Sequence, residues 1–141
     1  MNQPLGVAAV ALLLLVPGAS QAQELKLSDG SRYASAAAYY VGTWKWERPQ
    51  PRQTAITRLG ADGSFFFHNL TNGLQHFGRY KAGTTTFTVS LEKSCSANGA
   101  SCQVHEPPLV KDYPFEPVSA DLFQAGVERW ERQKSNQRPS L

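Results

Sequence analysis

The sequence predicts an all-β protein: an eight-stranded up-and-down antiparallel meander closed into a barrel, with a short N-terminal helix and one hairpin disulfide. From Gly42 onward, short β-type runs are separated by turn residues at about every 8 to 12 positions, which is the spacing of barrels and sandwiches. In the clearest run, 84–92, apolar Phe87, Val89 and Leu91 alternate with polar residues, as in an antiparallel strand with one buried face. We expect closure into a barrel because an open meander leaves two exposed edge strands.

Residues 1–22 are predicted to be a signal peptide. The apolar run Leu5–Val16 is shorter than the roughly 20 residues that a membrane-spanning helix needs. Ser20 and Ala22 are small residues at the positions that a signal peptidase recognises, so we expect cleavage after Ala22. The protein is therefore expected to be exported, as a periplasmic or secreted protein, without membrane insertion.

Residues 23–40 are predicted to form a polar lead-in followed by a short helix. Ser31 can cap this helix, and the alanines that lead up to Tyr39 favour it. Residues 41–132 form the predicted barrel, and residues 133–141 are predicted to be a flexible C-terminal tail.

The barrel segment contains eight predicted strands: 41–48, 53–59, 63–69, 74–81, 84–92, 101–106, 109–116 and 121–132. Short turns rich in glycine and asparagine join several of these runs, so sequential strands are expected to pair. The segment 106–114 contains three prolines, which cannot donate backbone hydrogen bonds. We therefore predict that this segment forms a loop at the rim of the barrel.

The sequence has two cysteines, Cys95 and Cys102, separated by the turn-rich stretch Ser-Ala-Asn-Gly-Ala-Ser. In an oxidising compartment the two cysteines are expected to form a disulfide across the mouth of one hairpin loop. A redox or metal-binding cysteine pair is the alternative, but the spacing is too wide and no histidine lies between them.

Aromatic residues are expected to dominate the interior, because three Trp, five Tyr and seven Phe accompany a single Ile. Rings that share a consistent alternation are predicted to line one cup that binds a small apolar ligand: Trp44, Trp46, Phe65, Phe67, Tyr80 and Phe87. The alternative is that these rings fill the interior completely.

The charge pattern and the motifs argue against several classes of function. The net charge of +3 comes from lysines and arginines scattered among acidic residues, so no nucleic-acid partner is expected. No nucleophile motif or phosphate-binding loop is present in the sequence, so we expect neither catalysis nor a cofactor. His68 and His76 flank one hairpin and supply at most half of a metal or haem site, so no metal is expected.

A Gly-x-Trp motif, Gly42 and Trp44, opens the first predicted strand directly after the short helix, and a basic residue lies on the last strand. This order of features resembles the lipocalin and wider calycin barrels, especially the small lipocalin-like domains of exported bacterial proteins. The resemblance implies that Gly42 and Trp44 close the barrel beneath a basic side chain of the final strand, either Arg129 or Arg132. Such a guanidinium over an indole contributes roughly 0.5 to 2 kcal/mol.

Two functions remain open at this point. The resemblance and the aromatic set imply an exported binding protein that holds a small hydrophobic or amphipathic ligand in an aromatic-lined cup. The alternative is a periplasmic protein-interaction module, such as an inhibitor of an exported hydrolase or protease, that inserts residues 23–30 and rim loops into the enzyme's cleft. In both cases we expect a monomer.

Overall fold

The structure is a computed structural model that describes residues 23–134. The predicted signal peptide, residues 1–22, lies outside the described residues, as do residues 135–141 of the predicted tail. The described chain forms eleven strands, one α-helix and a short 3₁₀ turn: β1 Leu25–Lys26, β2 Arg32–Tyr33, α1 Ala36–Tyr40, β3 Gly42–Pro49, β4 Arg52–Leu59, β5 Ser64–Asn69, β6 Gln75–Ala82, β7 Phe87–Ser96, the 3₁₀ turn Ala97–Gly99, β8 Ser101–Tyr113, β9 Glu116–Ser119, β10 Leu122–Ala125 and β11 Glu128–Arg132.

Nine of these strands form one antiparallel sheet, in the order β8-β7-β6-β5-β4-β3-β11-β10-β9, and β1 and β2 form a separate hairpin. From β3 to β8, each strand pairs with the next strand along the chain. The first strand of the sheet, β3, also pairs with the last strand, β11, so that Trp44 lies opposite Arg132. The predicted all-β class and the antiparallel pairing are confirmed.

The prediction of a closed barrel is wrong. Strands β8 and β9 are the two edges of the sheet, and within residues 23–134 no hydrogen-bonded ladder joins them. Pro107 and Pro108 in β8 and Pro117 in β9 have no backbone N–H to donate to a neighbouring strand, and prolines of this kind are tolerated at sheet edges. We call the gap between β8 and β9 the seam.

Two predicted segments also have a different structure. The segment 106–114, predicted to be a rim loop, belongs mostly to β8, which runs as one strand through the predicted strands 101–106 and 109–116. An edge strand accommodates these prolines because its outer side has no partner. The predicted strand 121–132 is instead the hairpin of β10 and β11, which turns at Gly126 with φ of 60°.

The helix predicted to begin at Ser31 starts later and is shorter, because β1 and β2 pair as a hairpin across that position. Helix α1 has five residues and is capped by Ser35, whose side chain accepts a hydrogen bond from the Ala38 N–H. A helix this short depends on tertiary packing, which buried Tyr39 and Tyr40 provide here.

Aromatic side chains line the concave side of the sheet and bridge the seam. Phe115, in the connection between β8 and β9, packs against Phe87 on β7 and Trp130 on β11, with ring centroids 4.7 and 4.6 Å apart. Phe123 on β10 stacks on Trp130 with centroids 4.9 Å apart. The two edges of the sheet are therefore joined by side chains rather than by a backbone ladder.

Arg132 connects the last strand to the first strand and to α1. Its guanidinium lies 4.2 Å from the ring centroid of Trp44. The same group donates hydrogen bonds to the carbonyl oxygens of Tyr39, Val41 and Ala120, at 2.7, 2.9 and 3.0 Å. Arg132 thus provides donors for two backbone acceptors at the end of α1 and for one in the connection between β9 and β10.

Of the other residues expected at this junction, Gly42 takes part and Arg129 does not. Gly42 has φ of 139°, and a Cβ at this position would lie 3.1 Å from Arg132 Nη1. Glycine therefore leaves room for the guanidinium. Arg129 is exposed and lies 3.7 Å from Glu131 on the outer face. Successive residues of β11 project to opposite faces, so Arg129 and Arg132, three residues apart, do not share a face.

Replacing Arg132 by Met keeps much of the apolar stem but leaves three carbonyl oxygens without their donor. We expect Arg132→Met to lower the free energy of unfolding by about 2 to 4 kcal/mol, measured by urea denaturation. Arg129→Met is the matched control and should change it by less than about 0.5 kcal/mol. Equal unfolding midpoints for the two variants would contradict the assigned role of Arg132.

The predicted disulfide is confirmed. Cys95 on β7 and Cys102 on β8 are directly paired and bonded, with a sequence separation of 7. The bond closes the hairpin around the 3₁₀ turn, so it restricts the unfolded chain more than the folded one.

Reduction of this disulfide should lower the free energy of unfolding by roughly 2 to 3 kcal/mol, as the chain-entropy model gives for so short a loop. Urea denaturation with and without dithiothreitol measures the difference. The double variant Cys95→Ala with Cys102→Ala should show no dependence on the reductant. An oxidised protein no more stable than the reduced one would show that the bond contributes nothing.

Candidate functional site

The concave side of the sheet contains a cavity of about 190 Å³. Its wall is built by inward side chains of β3 to β8, by β10 and β11, and by the connection that crosses the seam. Most of the lining is aromatic or aliphatic, with a few polar side chains: Trp46, Thr57, Leu59, Phe65, Phe67, His76, Phe87, Val89, Leu91, Lys111, Tyr113, Phe115, Phe123, Glu128 and Trp130.

Four of the six rings predicted to bind a ligand line this cavity: Trp46, Phe65, Phe67 and Phe87. Trp44 lies outside the lining and is fully buried, and its indole N–H donates to the carbonyl oxygen of Tyr40 at 2.8 Å. Tyr80 stacks behind Phe87, with ring centroids 5.3 Å apart, and its hydroxyl donates to the Gly60 carbonyl. Trp44 and Tyr80 therefore support the wall and do not face the cavity.

Four further rings of the cavity wall come from the C-terminal part of the chain and were not among the predicted ligand-binding residues: Tyr113, Phe115, Phe123 and Trp130. Tyr113 was not included because residues 106–114 were predicted to form a rim loop. The prediction of a single strand at 121–132 did not include the turn at Gly126. If β10 and β11 are treated as two strands, the alternation within each one predicts that Phe123 and Trp130 point inward.

One inward row of the sheet combines polar and aromatic side chains. Thr57 on β4 pairs with Phe67 on β5, Phe67 pairs with His76 on β6, and His76 pairs with Ser94 on β7. Directly paired residues project from the same face of a sheet. The Phe67 ring therefore has a hydroxyl on one side and an imidazole on the other, and all three groups line the cavity.

Thr57 is a buried polar residue of the lining whose side-chain hydroxyl lacks a hydrogen-bond partner among the described residues. It is 3% exposed, and within residues 23–134 its Oγ1 has no hydrogen-bond partner. A buried polar group without a partner costs roughly 1 to 3 kcal/mol. Thr57 is also one of the residues that line the cavity, so this unpartnered hydroxyl belongs to a side chain of the cavity wall.

His76 belongs to a short hydrogen-bonded chain that leads away from the cavity. Its Nδ1 lies 2.7 Å from Ser94 Oγ, which in turn lies 2.8 Å from His105 Nε2. The half-buried position of His76, and then the nearby charges of Lys111 and His105, lower the pKa of its imidazole. His76 is therefore neutral near pH 7, and its Nε2 has no hydrogen-bond partner in the described part of the chain.

Charged side chains of both signs line the cavity. Lys111 on β8 is exposed and also lines the cavity, so the cavity reaches solvent beside its side chain. The charge of Lys111 acts on His76. Burial, and then the charge of Glu128, raise the pKa of Tyr113. The charges that act on His76 are therefore those of Lys111 and His105, and Glu128 is not among them.

His68 and His76 do not share a site. His68 pairs with Gln75 and projects to the outer face, where its Nε2 lies 3.1 Å from Asn98 Oδ1. Between residues 23 and 134, no group of three or more His, Cys, Asp or Glu side chains is placed to hold a metal ion. The same part of the chain contains no helix with the length and apolarity needed to cross a membrane.

The chain was compared with protein-family models, with curated proteins and with solved structures. None matches. The lipocalin-like resemblance therefore stays a prediction from the sequence, and the function is inferred from the cavity and its polar groups.

Replacing Thr57 by Val preserves the side-chain shape and removes the unpartnered hydroxyl. We expect Thr57→Val to raise the free energy of unfolding by about 1 kcal/mol, measured by urea denaturation without added ligand. The matched control is Thr88→Val, since the Thr88 hydroxyl donates to Asp112 at 2.7 Å on the exposed surface. The control should be neutral or slightly destabilising. A clear loss of stability in Thr57→Val would mean that its hydroxyl is already satisfied.

Proposed function

We propose that the protein is an exported, lipocalin-like binding protein whose cavity holds one small amphipathic molecule. The observation that carries this proposal is an aromatic-lined cavity of about 190 Å³ whose wall contains a buried hydroxyl without a partner. Small-molecule sites are typically concave and mostly apolar, with a few fixed polar groups that orient the ligand.

The cavity volume limits the size of the ligand. Pockets for drug-sized ligands measure about 300 to 1,000 Å³, whereas an engineered apolar cavity of about 150 Å³ binds benzene. A cavity of about 190 Å³ therefore suits one aromatic ring with a short substituent rather than a long acyl chain.

The rings that line the cavity are held by contacts with one another. Trp46 contacts Phe67 edge to face, with centroids 5.4 Å apart, and Phe115 packs against both Phe87 and Trp130. A pre-organised wall reduces the side-chain entropy that is lost on binding. An apolar ring can therefore gain contacts with this wall without rearranging it.

The N-terminal segment supports this proposal over the inhibitor alternative. Leu25 and Leu27 pack against the aromatic core, and the Asp29 side chain accepts a hydrogen bond from the Ala120 N–H at 3.1 Å. Residues 23–30 would have to leave these contacts before entering the cleft of an enzyme. The disulfide is consistent with an oxidising compartment and so supports the export part of the proposal.

Toluene is a probe that matches the proposed ligand size. We expect calorimetry or amide chemical shifts to show toluene binding to the wild type, and Val89→Phe to weaken it at least about tenfold by filling the cavity. Val89 is 3% exposed and lines the cavity, whereas Val104 on β8 is 66% exposed. The same substitution at the exposed position, Val104→Phe, should bind toluene like the wild type.

The absence of toluene binding to the wild type, or equal binding by Val89→Phe, would refute a ligand cavity. Circular dichroism shows whether Val89→Phe folds, and Leu59→Phe is a second filling variant on a different strand of the wall.

A further inference from the structure

Three side chains of the cavity wall carry hydrogen-bond donors. Thr57 has a buried hydroxyl without a partner, His76 has a ring nitrogen without one among the described residues, and Lys111 lies at the opening. Thr57 and His76 lie on the same inward row, on either side of Phe67. The wall around Phe67 therefore has a side chain with a donor on each side of that ring.

We propose that the ligand is a small aromatic or short-chain carboxylate whose ring or chain lies among the aromatic side chains and whose carboxylate binds Thr57, His76 and Lys111. This inference rests on the proposed ligand-binding function and specifies the chemistry of the ligand. A carboxylate is an acceptor at both oxygens and accepts from several donors at once, whereas a neutral amide or alcohol has fewer acceptor sites.

The hydrogen-bonded chain behind His76 allows it to donate in both of its protonation states. When His76 is neutral, His105 Nε2–H donates to Ser94, the Ser94 hydroxyl donates to His76 Nδ1, and the proton of His76 lies on Nε2. When His76 is protonated, its Nδ1–H donates to Ser94 and the Ser94 hydroxyl donates to His105 Nε2, in the tautomer of His105 whose proton lies on Nδ1. Both arrangements satisfy the contacts of 2.7 and 2.8 Å at Ser94 and leave an N–H at His76 Nε2.

The charged groups around His76 favour an anion at this place. Strand β8 contributes Lys111 and His105, and β7 contributes the uncharged Ser94. Glu128 on β11 is the carboxylate of the lining, and it acts on Tyr113 rather than on His76. An anion beside His76 is therefore close to the groups whose charges act on the imidazole, Lys111 and His105.

Binding of a carboxylate should favour the protonated state of His76. The unliganded imidazole has a lowered pKa because it is partly buried and near Lys111, and an adjacent anion opposes both effects. The complex therefore takes up a proton from solvent, and affinity rises as the pH falls from about 7.5 to about 5.5, where a carboxylate is still ionised.

Benzoate, its neutral isostere benzamide and toluene test this proposal in calorimetric titrations at pH 5.5 and pH 7.5. We expect benzoate to bind at least about tenfold more tightly than benzamide at pH 5.5, as a charge-assisted hydrogen bond provides. Benzoate affinity should fall at pH 7.5, while toluene affinity should not change. Benzamide binding as tightly as benzoate would overturn the carboxylate assignment and leave the ligand-binding function intact.

Variants assign the three donors separately. Thr57→Val and Lys111→Met should each weaken benzoate binding by about five- to tenfold and should change toluene binding by a smaller factor. His76→Gln keeps a donor but cannot titrate, so it should remove the difference between the two pH values. The matched controls, His68→Gln and Lys93→Met, lie on the outer face and should behave like the wild type.

The remaining outcomes distinguish a failure of the carboxylate assignment from a failure of the ligand-binding function. A pH dependence that persists in His76→Gln would overturn the role of the imidazole. Failure of all three probes to bind would refute the ligand-binding function and the carboxylate assignment together. Toluene binding alone, without benzoate binding, would support an apolar site and reject the anion.

Discussion

The curvature of the sheet depends on aromatic packing across the seam, where no ladder joins β8 to β9 in the described chain. Phe115 is anchored between Phe87 and Trp130, and Tyr40 of α1 contacts Phe87 and Phe123 at centroid distances of 5.1 and 5.0 Å. These rings take the place of the hydrogen bonds that would close a barrel. Because Phe87, Phe115, Phe123 and Trp130 also line the cavity, the cavity wall and the packing across the seam share these contacts.

Local patterns in the sequence predict much of the sheet. Alternation predicts the inward positions of Phe87, Val89 and Leu91, all of which are buried, and the glycine-rich turns predict the sequential pairing of β3 to β8. The cysteine spacing predicts the disulfide. These features depend on residues close together in the chain. The open seam depends instead on which strands lie next to each other in the curved sheet. The sequence of a single segment does not predict that arrangement.

In the candidate site, too, the inward position of a residue can be predicted from the sequence, whereas its hydrogen-bond partners cannot. Alternation places Trp46, Phe65 and Phe67 on the inward face, and the same alternation also places Thr57 and His76 there. A threonine or histidine in a strand gives no sign of whether it is satisfied, because its partners lie on other strands. The unpartnered state of Thr57 and the link from His76 through Ser94 to His105 therefore become visible only in three dimensions.

The polar groups of the inward row are the strongest reason to regard the cavity as a site and not as imperfect packing. A core selected for stability alone would place Val or Leu at Thr57 and at His76, since an unpartnered hydroxyl and a desolvated imidazole both reduce stability. Both residues instead lie in the wall of the same cavity, on either side of one aromatic ring. Local departures from good packing that converge on one space are expected at functional sites. In the proposed complex, the polar end of the ligand offers acceptors to both groups, so the free energy that their burial costs is offset on binding.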